Sequence, residues 1–223
     1  MKRHLIIIIG LLLCAAPFFT SCSESDDNSS DNEFANWRER NEEYFASIRS
    51  NALSKIAAAK RLYSDDWQSH SDWLTYLSYS RSESASNNTA HDSIFVEVLE
   101  RGTGSGCPLS TDKVRVFYAG RLMPTTQHPD GKMFDHSGQS MLMDKIFDHA
   151  TATPSAFPVS ELTRGFATAV QHMHIGDKWR IYIPQELGYK NANRTDVPPY
   201  STLVFDVELV QYARAGASLP NWN

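Results

Sequence analysis

Residues 114–122 read VRVFYAGRL and decide the fold class of this 223-residue chain. Val114, Val116 and Tyr118 share one face of the segment, because side chains of a β-strand alternate between two faces. Residues 160–172 instead have helical spacing and stop before Gly176. Further strand patterns occur at residues 73–79, 94–99, 178–183 and 203–212. Mostly antiparallel strands with one short helix indicate an α+β fold.

An amphipathic segment precedes the strands. Large apolar residues recur at steps of three and four from Phe34 to Tyr63, which predicts a helix of about 30 residues with Asn32 or Asp31 as its cap. Residues 34–72 are therefore assigned to an N-terminal helical segment. Its apolar stripe must be covered, either by the following domain or by the same helix of a second copy, and the stripe alone leaves both open.

The first residues have the pattern of a targeting segment. A basic start is followed by an apolar run over residues 5–13 and by FTSC at 19–22, which resembles the lipobox of bacterial lipoproteins. Residues 1–21 are then a signal peptide, Cys22 is the lipidated residue, and the polar stretch 22–33 is a flexible tether. An ordinary cleaved signal or a membrane anchor is the alternative, although the run is shorter than the about 20 residues of a membrane-spanning helix.

Charge and cysteine usage exclude several classes of protein. The net charge is −5, and removal of the signal would make it −7, which argues against a nucleic-acid binder. Three cysteines exclude a disulfide framework and a zinc site of several thiolates, and Cys107 has no catalytic base near it in sequence. The eight histidines have no zinc-site spacing, and no G-x-S-x-G motif is present. The sequence therefore predicts neither metal nor cofactor.

Three blocks of sequence carry a family resemblance. They are VRVFYAGRL with DGKMFD at 130–135, FPVSELTRGF at 157–166 with QHMHIG at 171–176, and IYIPQELGY at 181–189 with VPPYSTLVFDVEL at 197–209. In order and spacing, from about residue 93 to 212, they resemble the FKBP-type peptidyl-prolyl cis-trans isomerases. The wording of the second and third blocks is most similar to the macrophage-infectivity-potentiator branch.

The resemblance implies a bent antiparallel sheet wrapped round a short helix over residues 73–213, followed by a tail at 214–223. The implied catalytic residues are Tyr118, Phe134, Asp135, Phe166, Tyr189 and Phe205. The implied substrate-binding residues are Phe157, Leu162, Thr163 and Val197, with the segment from Val197 as a loop over the rim.

Four features depart from the family pattern. Phe166 stands at the floor position, where the family usually has tryptophan, and Thr163 replaces an isoleucine or valine. Lys190 follows the tyrosine where glycine is common, and a positive φ there would strain lysine. The connection at 137–156 is longer than usual, so it extends the binding surface or covers it.

The residue types suit rotation of an X-Pro bond. The barrier is about 18–20 kcal/mol because rotation breaks amide resonance, and no bond is cleaved, so neither nucleophile nor metal is needed. An apolar aromatic cup disfavours the polar planar amide relative to the twisted one. The resemblance thus implies an isomerase of proteins that fold in the cell envelope, and the lipobox-like leader implies a lipid anchor in the outer membrane, facing the periplasm or the cell surface. Its implied partners are proline-containing polypeptides, macrolide ligands, the membrane, and a second copy through the N-terminal helix.

Two other functions remain open from the sequence. The changed floor and the long connection are also compatible with a catalytically weak or inactive FKBP-like binding or chaperone lipoprotein. A purely structural lipoprotein subunit is the third reading.

Overall fold

The computed structural model describes residues 33–138 and 147–222. The predicted signal peptide, the tether, Cys22 and the predicted helix caps Asn32 and Asp31 lie outside these ranges. The described residues belong to one compact unit that begins at Glu33. The domain limits inferred from the sequence remain predictions. Within the described ranges, no helix has the length and apolar character needed to cross a membrane.

Three α-helices and seven β-strands form the described part of the chain. The helices are α1 (Trp37–Tyr63), α2 (Trp67–His70) and α3 (Arg164–Val170). The strands are β1 (Trp73–Leu77), β2 (Ser93–Glu100), β3 (Lys113–Arg121), β4 (Met133–His136), β5 (Ser155–Pro158), β6 (Lys178–Ile183) and β7 (Leu203–Ala213).

All seven strands pair antiparallel in one sheet of order β1-β2-β6-β7-β3-β4, and β5 also pairs with β3. The last strand in sequence, β7, therefore lies in the centre, between β6 and β3. With the short helix α3 packed on this sheet, the predicted α+β class is confirmed.

The two faces of the sheet carry different helices. On one face, Ile94, Val96 and Ile181 belong to the main core together with residues of α3. On the other face, Phe95 and Tyr182 belong to a second cluster with residues of α1. Neighbouring residues of one strand thus serve opposite layers, as the strand period of two requires.

Helix α1 covers its apolar stripe with its own sheet. Phe45, Ala52 and Ile56 are at most 4% exposed, and they contact Trp73, Phe95, Tyr182 and Val204. The sequence left open whether the apolar stripe packs on the following domain or on a second copy of the helix. In the structure it packs on the following domain. The predicted caps are wrong, because the helix begins at Trp37, after Asn36 takes a left-handed conformation with φ 49°.

One other local prediction needs correction, and the structure has two strands that the sequence pattern did not predict. Helix α3 begins at Arg164 and not at residue 160, because Val159–Glu161 forms a 3₁₀ turn and Thr163 is extended. The sequence pattern did not predict β4 or β5, since a strand of four residues is too short to show a clear alternation.

The long connection at 137–156 is described only in part. In the described part, the His149 ring stacks on Phe117 at 4.8 Å, and its Nε2 lies 2.9 Å from a Glu208 carboxylate oxygen. Phe117 points to the face opposite its neighbour Tyr118. This part of the connection therefore covers the sheet face that Phe117 occupies.

We expect Phe45→Ala to lower the free energy of unfolding by about 3–5 kcal/mol, because it empties a site between α1 and the sheet. Phe45 is 2% exposed, and its ring centroid lies 5.6 Å from that of Phe95. The matched control is Leu62→Ala, on the exposed side of α1, where the side chain is 74% exposed and the loss should stay within about 0.5 kcal/mol. Denaturant unfolding of both variants tests this, and equal losses would contradict the docking of α1.

Candidate functional site

A cavity of about 470 Å³ lies between α3 and the sheet, and aromatic rings form its floor. Tyr118 of β3, Phe166 of α3 and Phe205 of β7 are all at most 7% exposed. The Phe166 and Phe205 rings meet edge to face, with centroids 5.0 Å apart, and Tyr118 is 6.2 Å from Phe166. The floor is therefore a rigid, apolar surface from three distant parts of the chain.

The pairing of β3 with β7 brings two of these rings together. Gly120 pairs with Phe205 in the register of the two strands. A Cβ atom at Gly120 would lie 2.6 Å from the Phe205 ring and 2.7 Å from the Phe134 ring. Only glycine leaves room for both rings at this point of β3, which explains the AG dipeptide after Tyr118.

The walls and the rim differ in polarity. Phe157 of β5 packs edge-on against Tyr118 at 5.8 Å, and Leu162, Thr163 and Tyr189 complete the partly buried walls. The exposed rim carries two carboxylates and one guanidinium, from Asp135, Glu161 and Arg194. A ligand with an apolar ring and a polar backbone would fit this distribution, with the ring inward and the backbone at the rim.

Two tyrosine hydroxyls face the cavity entrance. Burial raises the pKa of Tyr118, and the negative charge of Asp135 together with a side-chain hydrogen bond to it raises this pKa further. Burial also raises the pKa of Tyr189, whose ring lies under the Arg194 guanidinium at 4.0 Å from the ring centroid. Both hydroxyls are therefore protonated at neutral pH and able to donate a hydrogen bond.

Eight of the ten side chains named from the sequence line the cavity. They are Tyr118, Asp135, Phe157, Leu162, Thr163, Phe166, Tyr189 and Phe205. Phe134 does not line it: the pairing of β3 with β4 is irregular after Gly120, and the Phe134 ring lies beside the cavity, against Gly120 and Phe205. Its ring packs edge-on against Phe205 at 5.5 Å and forms the wall of a neighbouring groove with Asp130 and Asp196.

Val197 is also placed differently from the sequence prediction. It is 4% exposed and belongs to the core, so it is not part of an open loop over the rim. Its backbone forms a bridge with Arg194, with N–O distances of 3.4 Å in both directions. The buried Val197 therefore holds the backbone of Arg194 through this bridge.

Sequence reasoning missed three lining residues, Glu161, Gly188 and Arg194. Glu161 and Gly188 lie inside the second and third blocks of the family resemblance, so their position beside named site residues could have indicated them. Arg194 lies in a polar stretch between blocks, and nothing in the sequence around it indicates a site.

One group of described residues has the spacing of metal ligands. A ligand atom from each of Glu42, His91 and Glu186 lies within 4.8 Å of the other two. The His91 Nδ1 is 3.1 Å from a Glu186 oxygen, and its Nε2 is 3.5 Å from a Glu42 oxygen. Because the carboxylates face opposite ring nitrogens, a metal on either nitrogen would have one carboxylate as a ligand and the other as a hydrogen-bond acceptor.

Cys107 is a free thiol that the fold places beside a histidine distant in sequence. Its Sγ lies 3.7 Å from the Nε2 of His174, a base 67 positions along the chain. Burial raises the pKa of the Cys107 thiol, which disfavours the nucleophilic thiolate.

A second cavity, of about 460 Å³, opens on the other face of the sheet. Asp206, next to Phe205 on β7, lies in its wall with Arg121 and Arg180. The Arg121 Nη1 and Arg180 Nε each lie 2.6 Å from an Asp206 oxygen. This cavity is lined by paired charges, whereas the first has the ring-lined floor that an apolar ring requires.

Comparison with known proteins finds a family match over residues 105–210, to the family described as FKBP-type peptidyl-prolyl cis-trans isomerase. The FKBP-type 22 kDa peptidyl-prolyl cis-trans isomerase of Escherichia coli (strain K12) is 36% identical over 125 residues, which are 56% of this chain and 52% of that protein. The macrophage infectivity potentiator of Trypanosoma cruzi is 35% identical over 119 residues, 53% of this chain and 52% of that protein.

Among solved structures, a peptidyl-prolyl cis-trans isomerase from Pseudomonas syringae pv. tomato str. DC3000 is 25% identical, with a TM-score of 0.44. That match covers 76% of this chain and 96% of the other. The chain spans about half the length of the curated relatives it matches. Residues 105–210 therefore match the family of FKBP-type peptidyl-prolyl cis-trans isomerases, and the chain is similar in sequence to members of its macrophage-infectivity-potentiator branch.

Proposed function

We propose that the chain is a peptidyl-prolyl cis-trans isomerase that rotates X-Pro bonds in proteins folding in the cell envelope. The supporting observation is the cavity, in which the buried rings of Tyr118, Phe166 and Phe205 lie below an exposed rim with Asp135. The family match over residues 105–210 supports the same reaction.

Binding of the proline ring accounts for the first part of the proposed mechanism. The ring enters the cavity onto Phe166, between Phe157 and Leu162, and the imide leaves water. Water stabilises the polar planar imide more than the twisted one, so removal of water lowers the barrier to rotation. Each tenfold gain in rate requires about 1.36 kcal/mol of such differential stabilisation.

Polar groups at the rim account for the second part. The Tyr189 hydroxyl and the Thr163 backbone N–H hold the substrate backbone on either side of the proline. The Tyr118 and Phe205 ring edges and the Asp135 carboxylate surround the carbonyl as it turns. Interactions made only with the twisted carbonyl raise kcat, whereas the backbone contacts lower KM.

We expect Asp135→Val to lower kcat/KM by about tenfold to a hundredfold, since a hydrogen bond to a charged group contributes about 1.5–3 kcal/mol. A protease-coupled assay on short X-Pro peptides measures this. The control is Asp65→Val, which removes the same charge from an exposed 3₁₀ turn after α1 and should leave kcat/KM within about twofold.

Two results would contradict the proposal. Full activity of Asp135→Val would exclude the assigned role of Asp135. No wild-type rate above background, across several residues before proline, would favour the alternative of an inactive binding or chaperone module.

Thr163→Val should stabilise the chain by about 1 kcal/mol, because the Thr163 Oγ1 is buried with no hydrogen-bond partner in the described part of the chain. The backbone N–H survives the substitution, so kcat/KM should stay within about twofold. The control is Thr168→Val in α3, whose hydroxyl donates to the Arg164 carbonyl at 2.8 Å and whose loss should destabilise. Thermal unfolding separates the two, and a loss of stability in Thr163→Val would contradict this reading of the cavity wall.

We further propose that acyl chains on Cys22 anchor the protein in the cell envelope. The support is the lipobox-like FTSC sequence after the apolar run at 5–13. Two or more acyl chains anchor stably where one is marginal.

Cys22→Ala should abolish incorporation of labelled palmitate and move the chain out of the membrane fraction of a bacterial host. Cys14→Ala, inside the leader, should change neither. Unchanged labelling of Cys22→Ala would exclude this anchor.

Macrolide binding and a homodimer through the N-terminal helix remain hypotheses. The ring-lined floor supports macrolide binding. For the dimer, α1 has only its outer side left, where Leu53 and Leu62 are 38% and 74% exposed.

A further inference from the structure

The segment from residue 190 to 202, here called the rim loop, connects the cavity wall to β7. It follows Tyr189 directly and carries Arg194 and Val197. The Tyr200 N–H donates to the Lys190 carbonyl at 2.7 Å and closes the base of the loop. Lys190 and Tyr200 have φ of 57° and 64°, a left-handed conformation that side chains with a Cβ disfavour. Such strain persists only where surrounding contacts hold it.

The first two turns of α1 supply these contacts at the end of the rim loop. The Trp37 Nε1–H donates to the Ser201 Oγ at 2.9 Å, and that hydroxyl donates to the Pro198 carbonyl at 2.6 Å. The Asn41 Oδ1 accepts from the Thr202 N–H at 2.8 Å. Asn41, Ser201 and Thr202 are at most 3% exposed, so water does not replace these bonds.

Two further contacts reinforce the same junction. The Arg38 guanidinium lies over the Tyr200 ring, 4.5 Å from its centroid. Glu42 faces His91, whose other ring nitrogen faces Glu186, three residues before Tyr189. Helix α1 thus contacts the rim loop directly and is linked through His91 to the segment that leads into it.

We propose that Trp37 and Asn41 are positioning residues for the isomerase site. Through Ser201 and Thr202 they fix the rim loop, and the loop in turn fixes Arg194 over the Tyr189 ring. This inference rests on the proposed isomerase function. Its physical basis is that a binding group held in one geometry loses less freedom when substrate binds.

Asn41→Ala is the direct test, because it leaves the Thr202 N–H buried and unpaired. It should raise the hydrogen-exchange rate of rim-loop amides at least about tenfold and lower kcat/KM about tenfold, mainly through a higher KM, since the Tyr189 contact binds ground and transition states alike. Asn41→Asp keeps an acceptor for Thr202 but loses the donor to the Trp37 carbonyl at 2.7 Å, so it should recover only part of both.

The matched control lies in the same helix. Ile56 is 4% exposed and packs on the sheet with Phe95 and Val204, away from the rim loop. Ile56→Ala should lower the melting temperature at least as much as Asn41→Ala, yet leave kcat/KM and rim-loop exchange within about twofold. This comparison separates a positioning role from a general loss of stability.

The outcomes distinguish the two proposals. Rim-loop exchange that is unchanged in Asn41→Ala, or equally raised in Ile56→Ala, would overturn the positioning role. An inactive wild-type chain would overturn the isomerase function, and exchange would still show whether α1 holds the loop.

Discussion

The pairing of β3 with β7 is the constraint on which the cavity depends. It brings Phe205 against Gly120 and so places two rings where a side chain would otherwise stand. On β7, the Val204 and Asp206 side chains lie on the sheet face that α1 covers, while the Phe205 side chain lies on the cavity face. A shift of β7 by one residue would place the Asp206 carboxylate in the cavity instead of the Phe205 ring. The register of this central strand therefore determines the packing on both faces of the sheet.

The order of the motifs predicted most of the site, because residues that meet in the cavity belong to blocks with a distinctive amino-acid pattern. The α+β class followed from strand alternation around residues 114–122, and eight named side chains line the cavity. Phe134 and Val197 do not line the cavity, which shows the limit of assigning roles to single residues from a family pattern. Phe134 packs on Phe205 beside the cavity, and Val197 is buried in the core.

Contacts between distant parts of the chain could not be predicted from the sequence. The apolar stripe of α1 indicated a buried face but not its partner, since the pattern does not specify which surface the stripe packs against. The same holds for Cys107 beside His174 and for His91 between two glutamates, whose residues are far apart in sequence. Arg194 lies in a polar stretch with no motif, and only the fold brings it over Tyr189.

The docking of α1 affects how far the domain of this chain can be treated as independent of its N-terminal helix. The family match covers residues 105–210 and contains Ser201 and Thr202, but neither Trp37 nor Asn41. A chimera that kept this domain and received a different N-terminal helix would pair the rim loop with a helix that lacks Trp37 and Asn41. Successful exchange of the helix would therefore require the first two turns of α1 and residues 198–202 to be transferred together, because they are joined by buried hydrogen bonds.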